Sequence, residues 1–370
     1  MHHLELPGYT VHISDLRSLT GHLNQHLKAR TWSRVAVLVD ENTEQDCWPL
    51  ISEANWPTGT ERLEIPAGEL YKTLSTCEGL WEAFTNLELD RHSLLVNLGG
   101  GVIGDMGGFA ASTYMRGFSF LNIPTTLLAQ VDASVGGKLG VDFNGLKNMI
   151  GLFADPRGVL ICPEFLATLP YEQLRSGYAE VLKHALIRDR KSWTELAGQS
   201  LEDVLDWETL IARSVSIKKA VVEADPNESG LRKILNFGHT IGHAVESLQL
   251  ESDAPLLHGD AIAVGMIAET WLSYRACGMS GVERDAVAQS IAAVYPRFKL
   301  ADVTVESVLE LMRLDKKNRA GEIRFSLLPS IGACKPDVVL PEEKLGDWLG
   351  EALEYYQDTY KPISGNSANN

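Results

Sequence analysis

Continuous aliphatic and β-branched runs alternate with segments of helical spacing through the first half of the chain. Val35–Val39, Leu94–Leu98, Phe118–Ile123 and Val159–Ile161 are short, mainly apolar stretches and are predicted as strands. Between them, the segments Leu16–Leu27, Ser75–Leu87 and Asp105–Tyr114 carry apolar side chains at helical spacing. Strands separated by helices pair in parallel through crossover connections. The pattern therefore predicts an α/β domain, a Rossmann-like open sheet with helices on both faces and its ligand site at the carboxyl ends of the strands. After Leu169-Pro170 the texture changes. Helical patterns follow one another over Leu174–Arg188, Leu201–Val222, Ile234–Leu248, Asp260–Ala276 and Asp285–Val294, so residues 170–370 are expected to form an all-α domain beside the nucleotide-binding α/β domain of residues 1–169. Glu322–Leu328 has the pattern of a short hairpin, and the small, polar stretch Ser364–Asn370 reads as a frayed end.

Composition narrows the class of partner. With 33 Lys and Arg against 49 Asp and Glu, the formal charge is −16 over 370 residues. A nucleic-acid binder needs a basic surface to exchange counterions with phosphates, and this balance argues against one. An anionic small substrate must instead be met by a local cluster of cations. The 5 cysteines are widely spaced with no C-x-x-C pair, which reads as reduced thiols in a cytoplasmic protein. MHHLELPGYT has no cationic start followed by an apolar run, and no apolar stretch approaches the ~18 residues of a membrane span, so no membrane association is expected.

Three patterns suggest chemistry. Leu98-Gly99-Gly100-Gly101-Val102-Ile103-Gly104-Asp105 leaves a strand and enters a helix, which suits a phosphate against backbone N–H groups and equally a plain tight turn. Arg116, Lys138 and Lys147 then stand among Gly, Thr, Ser and Asn in loops that follow strands, where an anion is met. In the second half, Glu180, Lys183 and His184 share one helical face, His239 and His243 stand one turn apart, and His258 opens another helix. One carboxylate with two or three of these imidazoles would hold a divalent cation and leave a position open for substrate.

Gly99-Gly100-Gly101-Val102-Ile103-Gly104-Asp105, Thr113-Tyr114-Met115-Arg116-Gly117, Pro124-Thr125-Thr126-Leu127-Leu128-Ala129-Gln130-Val131-Asp132 and Gly136-Gly137-Lys138 together resemble the 3-dehydroquinate synthases, enzymes of the shikimate pathway to the aromatic amino acids. The resemblance continues through Lys147-Asn148, Ala179-Glu180-Val181-Leu182-Lys183, Gly230-Leu231-Arg232, Asn236-Phe237-Gly238-His239-Thr240, Leu257-His258-Gly259 and Asp315-Lys316-Lys317, in the family's order from about residue 35 to 335. It implies a homodimer, an NAD-binding α/β domain, and a helical domain with a divalent metal, zinc or alternatively cobalt, in the cleft. The metal ligands it implies are Glu180, His239 and His258, which leaves His243 to the substrate. A phosphorylated sugar acid would be held by Arg116, Lys138, Asn148, Lys183, Lys218, Arg232, Asn236, His243 and Lys317 or its neighbour Lys316, with Asp132 also at the catalytic centre. For NAD the resemblance points to Asp40, Asn42, Glu69, Lys72, Gly100, Gly101, Val102, Asp105, Thr125, Thr126, Asp132, Lys138, Lys147, Phe165, Thr168 and Leu169.

The implied reaction is a lyase cyclisation of 3-deoxy-D-arabino-heptulosonate 7-phosphate to 3-dehydroquinate and phosphate: transient oxidation by NAD, phosphate elimination, re-reduction, ring opening and aldol closure. Leu139, Asp142 and Leu146 depart from residues frequent in the family beside ligand-contacting positions, and are expected to tune affinity. Two relatives compete: a cyclase acting on sedoheptulose 7-phosphate or glucose 6-phosphate, and a metal-dependent polyol dehydrogenase of the same fold. Their substrates lack the carboxylate that Arg232, Asn236 and His243 would meet. A catalytically dead NAD-binding regulator would lack ligands or lysines that this chain retains.

Overall fold

The computed structural model describes residues 1–144, 146–250, 252, 254–300, 303–314 and 322–361. The chain divides into two compact units, Met1–Val181 with Leu205–Pro226, and Leu182–Val204 with Asn227–Asn370.

The first unit contains β1 (His2–Leu6), β2 (Tyr9–Ile13), α1 (Leu16–Lys28), β3 (Val35–Val39), α2 (Glu41–Asp46), α3 (Trp48–Ile51), β4 (Glu61–Glu64), α4 (Leu74–Asn86), β5 (Leu94–Gly99), α5 (Gly101–Thr113), β6 (Ser119–Pro124), β7 (Lys138–Phe143), β8 (Leu146–Phe153) and β9 (Val159–Ile161). Seven strands form one sheet in the order β1-β2-β9-β6-β5-β3-β4, parallel throughout except for the antiparallel β1–β2 hairpin at one edge. Side chains alternate along a strand, and β3 uses both faces. Val35, Val37 and Val39 pack with Leu19, Leu23 and Leu27 of α1, whereas Ala36 and Leu38 pack with Cys77, Leu80 and Phe84 of α4 and Met106 and Phe109 of α5. Each large side chain so buried stabilises the sheet by about 1.5–3 kcal/mol.

The helix α6 (Tyr171–Arg188) runs through the division between the units, which falls after Val181. It is followed by α7 (Arg190–Leu196) and α8 (Trp207–Ala224), the latter in the first unit. The second unit holds α9 (His239–Gln249), α10 (His258–Ala276), α11 (Gly281–Val294), α12 (Val305–Leu314), the antiparallel hairpin β10 (Arg324–Ser330) and β11 (Ala333–Val339), and α13 (Glu342–Thr359). Helix α10 is buried continuously from Gly259 to Thr270, as a helix apolar on nearly every side must be, and packs against α9, α11 and α13. No helix among the described residues is long and apolar enough to cross a membrane.

The predicted strands and helices of the first half are present within a residue or two, apart from α5, which starts at Gly101 and so takes in part of the glycine run before Asp105. The β7–β8 hairpin, β1 and β4 carry no uninterrupted apolar run, and β2 shows its strand only as the alternation of Tyr9, Val11 and Ile13 with Thr10 and His12. Two predicted helices begin late. Asp206 caps α8 by accepting from Thr209 N at 3.0 Å, so Leu201–Asp203 forms a separate 3₁₀ turn. The helix expected over Ile234–Leu248 starts at His239, because Leu231–Asn236 is a 3₁₀ turn and Gly238 takes φ +79°. The late hairpin is longer than Glu322–Leu328. Ser364–Asn370 lies outside the described residues.

Candidate active site

The parallel sheet ends its central strands beside the glycine turn. β5 closes at Gly99, Gly100 is the N-cap, and α5 begins at Gly101, so the first N–H groups of α5 open beside a hollow lined by Asn97, Gly104, Asp105, Asn122 and Ser134. A Cβ on Gly99 would lie 2.5 Å from Ile103 Cγ1, which makes this glycine a packing requirement. A Cβ on Gly104 would meet nothing within 4 Å, so that face of the helix stays open to the hollow. Free helix N–H groups beside open backbone suit a pyrophosphate. Thr125 N donates to Gly99 O at 3.1 Å, and Thr126 Oγ1 accepts from Ala129 N at 3.2 Å, which ties the end of β6 to this turn. Val102 is half-buried in the first turn of α5.

Beside the turn lies a buried charge network. The Lys72 side chain is 5% exposed, and its Nζ donates to Asp105 Oδ2 and Asn148 Oδ1, each at 2.7 Å. Burial alone would lower the Lys72 pKa, but Asp105, Glu69 and Asp142 outweigh it, so the ammonium titrates above its ordinary range. Lys147 Nζ reaches Glu69 Oε1 at 3.3 Å. Asp142 shapes the backbone here, because its Oδ1 accepts from Asn148 N at 2.7 Å and fixes a residue at φ +51°. Leu139 is buried against α5, where a Cβ on Gly108 would come within 2.5 Å of its Cδ2. The Leu146 side chain is outside the described set.

A single π turn over Ala129–Ala133 presents Asp132 to α8. Lys218, 5% exposed, donates to Asp132 O at 2.6 Å and pairs with Oδ1 at 2.8 Å. Lys138 starts β7 and is exposed. Asp40 is committed to capping α2: its Oδ1 accepts from Thr43 N at 2.8 Å and from Thr43 Oγ1 at 3.0 Å. Asn42 and Thr168 are exposed and Leu169 is half-buried. Phe165 is 1% exposed inside the sheet's core, so only its backbone is available to a ligand. Arg116 is exposed at φ +68° and bonds to no other described residue.

Glu180, Lys183 and His184 follow one face of α6 and are all buried, at 0%, 1% and 0%. One ligand atom from each of Glu180, His239 and His258 lies within 4.8 Å of the others. His239 Nδ1 stands 3.1 Å from Phe237 O, and His258 Nδ1 stands 3.4 Å from Glu246 Oε2. With Nδ1 anchored on a carbonyl and a carboxylate, Nε2 is the atom by which each imidazole would address a cation. A carboxylate and two imidazoles are a donor set that fits zinc or cobalt and leaves a coordination position open. Two other groups converge within the same 4.8 Å, His243 with Glu246 and His258, and Asp132 with Glu180 and His184. Among the described residues no such group combines His239 with His243, the one-turn pair that spacing alone suggests. In the first alternative, Glu246 already faces His258 Nδ1.

Arg232 is buried to 2% in the 3₁₀ turn before α9, and Asn236 Nδ2 donates to Glu228 Oε1 at 2.9 Å. Lys316 and Lys317 lie outside the described residues. Three residues escaped the sequence reading. Glu228 is marked only by its nearness to Gly230 and Arg232. Glu246, three residues after His243, has helical spacing as its signal. Glu269 has none, because it is 0% exposed in α10, where its Oε2 accepts from Gly238 N at 2.7 Å and its Oε1 from Ile241 N at 2.9 Å. This carboxylate caps α9, and Gly238 is required beside it: a Cβ there would fall 2.5 Å from Met266 Cγ at a φ of +79°.

Residues 62–176 match the family model of the 3-dehydroquinate synthase N-terminal domain, and residues 177–318 match that of its C-terminal domain. The 3-dehydroquinate synthase of Parabacteroides distasonis is 39% identical over 347 residues, covering 93% of this chain and 97% of that protein. Among solved structures, 2-epi-5-epi-valiolone synthase from Streptomyces hygroscopicus, with NAD+ and Zn2+ bound, is 25% identical with a TM-score of 0.83 over 97% of this chain and 99% of that one. A 2-deoxy-scyllo-inosose synthase complexed with carbaglucose-6-phosphate, NAD+ and Co2+ is 24% identical with a TM-score of 0.80, over 95% and 99% of the two chains, and shares the fold. The chain belongs to the 3-dehydroquinate synthase family.

Proposed function

We propose that this protein is a 3-dehydroquinate synthase that converts 3-deoxy-D-arabino-heptulosonate 7-phosphate to 3-dehydroquinate and phosphate. The observation that carries the reading is the carboxylate and two Nδ1-anchored imidazoles of Glu180, His239 and His258, in a chain whose two halves match the family's two domain models. Residues 1–169 would serve NAD, and residues 170–370 the metal and the substrate. Bound there, NAD supplies a reversible hydride acceptor and the divalent ion a Lewis acid for the oxygen being oxidised.

The chain's own residues do the rest. Helix N–H groups after Gly100 meet the dinucleotide's pyrophosphate, while Lys72, held by Asp105 and Asn148, presents a fixed charge beside it. Asp40 keeps Oδ2 for a ribose hydroxyl, since its Oδ1 serves the cap. Arg232, Asn236 and His243 take the carboxylate and hydroxyls. Lys138, Lys183 and Lys218, with Arg116 and Lys317, take the phosphate. Lys218 is pre-set by Asp132, which lowers the entropy lost on ordering it around a substrate. Once the ring carbon is a ketone, the neighbouring C–H is acidic enough for phosphate to leave by elimination; the hydride then returns to that carbon, the ring opens, and the bound chain closes on itself by an aldol step.

The reading carries a phosphorylated sugar acid as substrate, a homodimer and a cytoplasmic location, and no nucleic-acid or membrane partner. The formal charge of −16 supports the absence of a nucleic-acid partner.

The test is phosphate release by the metal-loaded protein from 3-deoxy-D-arabino-heptulosonate 7-phosphate, with sedoheptulose 7-phosphate in parallel. Release from the first substrate alone, with NAD below stoichiometric amounts and abolished by a chelator, is expected. Release from sedoheptulose 7-phosphate alone would assign the protein to the related cyclases, and release from neither would overturn the reading.

A further inference from the structure

The amino end of β6, opposite to the glycine turn, carries two guanidiniums that share one serine hydroxyl. Arg30 Nη2 donates to Ser119 Oγ at 2.9 Å, and Arg157 Nε donates to the same oxygen at 3.1 Å. A hydroxyl oxygen has two lone pairs, so both are engaged and its O–H is left to donate outward. Arg30 is held flat by the Trp32 ring, with its guanidinium carbon 4.0 Å from the ring centroid. Among the described residues, no carboxylate lies within 4.0 Å of either guanidinium. Two like charges converge here in a protein of formal charge −16, where a carboxylate partner would have been easy to supply. Burial, and after it the facing Arg157, both press Arg30 toward losing its proton, a penalty that a bound anion would relieve.

We propose that Arg30, Arg157 and Ser119 form a second anion site, for the dianionic phosphoryl group of inorganic phosphate or of a small phosphate monoester. Two planar guanidiniums and a hydroxyl match the several acceptor oxygens of a tetrahedral dianion, and guanidiniums address such oxygens in pairs. Arg157 also borders a groove of about 350 Å3 lined by Tyr9, Thr10, His12, His26 and Glu5. The hydroxyls and imidazoles of that groove suit the uncharged remainder of a monoester, while Glu5 disfavours a second anionic group. The site is separate from the nucleotide hollow. Ser119 precedes Pro124, which lines that hollow, by five residues along β6, or about 16 Å of extended strand.

Arginine Nε–H resonances test this locally, so phosphate bound at the catalytic centre does not confuse the result. The full-length protein is titrated with inorganic phosphate and, separately, with glycerol 3-phosphate at constant ionic strength. Saturable shifts of the Arg30 and Arg157 signals are expected, with the Arg30 signal at least tenfold less responsive in Arg157→Gln and the Arg157 signal likewise in Arg30→Gln. Tighter binding of glycerol 3-phosphate would assign the site to monoesters, and equal binding to the free ion; both support the proposal. Shifts that grow linearly without saturation, or a remaining-arginine signal that saturates unchanged in Arg30→Gln or in Arg157→Gln, overturn it. Should either single variant fail to fold, Ser119→Ala removes the shared hydroxyl while keeping both charges, and an unweakened titration there overturns the proposal equally.

Discussion

Glu269→Gln is the sharpest test of how the metal-ligand helices are held. The side chain is 0% exposed, and its two oxygens accept from Gly238 N at 2.7 Å and Ile241 N at 2.9 Å, at the start of the helix that bears His239 and His243. Glutamine keeps the shape and one acceptor, but turns an NH2 toward an N–H donor. Losing a hydrogen bond to a charged acceptor costs about 1.5–3 kcal/mol, and leaving a buried N–H against another donor about 1–3 kcal/mol. Loss of the anion at a helix N-terminus adds up to about 2 kcal/mol. Relief from burying a charge offsets part of this sum, so a net destabilisation of about 3 kcal/mol is expected. Because α9 starts at His239, its loosening also moves a proposed ligand, and zinc affinity is expected to fall by about 10–100-fold, as when other supports of metal-bound imidazoles are removed. Urea unfolding followed by circular dichroism reads the first effect, and competition with a chromogenic chelator reads the second. A variant within about 0.5 kcal/mol of the parent and with zinc affinity within about twofold would refute the reasoning, since neither cap nor support would then be acting.

Two further outcomes follow from other buried groups. Lys72→Met leaves the Asp105 carboxylate without its 2.7 Å partner, and should cost about 3 kcal/mol in urea unfolding while weakening NAD binding at least tenfold; Lys72→Met/Asp105→Leu should recover stability but not NAD affinity, and a double variant no more stable than the single one would contradict the pairing. His12 is pushed down to about 4 by burial first, and then by His22, His3 and His26 around it. Its folded-state value lies below the ordinary 6.5, so the unfolded chain takes up the proton first, and stability present above about pH 6.5 is lost as the pH falls toward 4. His12→Gln should flatten the unfolding midpoint across that window, and an unchanged pH profile would remove His12 as the cause.

Much of the site is legible in the amino-acid order, and what escaped has a common physical origin. The apolar runs at Val35–Val39 and, broken only by Asn97, at Leu94–Leu98 are short and β-branched or aliphatic enough to mark strands covered on both faces, and the glycine run after Leu98 marked the exit from β5. Local chemistry also placed Glu180, Lys183 and His184 on one face, because helical periodicity is a property of the segment itself. Spacing alone pairs His239 with His243. They are neighbours on α9, yet among the described residues the group that contains His239 joins it to Glu180 and His258, which stand on other helices and far from it in sequence. The start of α9 was equally hidden: periodicity extended the helix back through Asn236, whereas a carboxylate on α10 claims the N–H groups of Gly238 and Ile241 and ends the preceding turn.

The sequence by itself determined the parallel sheet, the helical second half and the family, since these rest on periodicities and motifs carried by contiguous residues. Tertiary structure alone decided which carboxylate serves which partner: Asp40 a cap, Asp105 a lysine, Asp132 the Lys218 ammonium, Glu246 an imidazole and Glu269 a helix end. An acidic side chain has no preference among these until folding removes it from water. In the interior an unpaired charge is costly, so the donor that happens to lie within about 3 Å fixes its role.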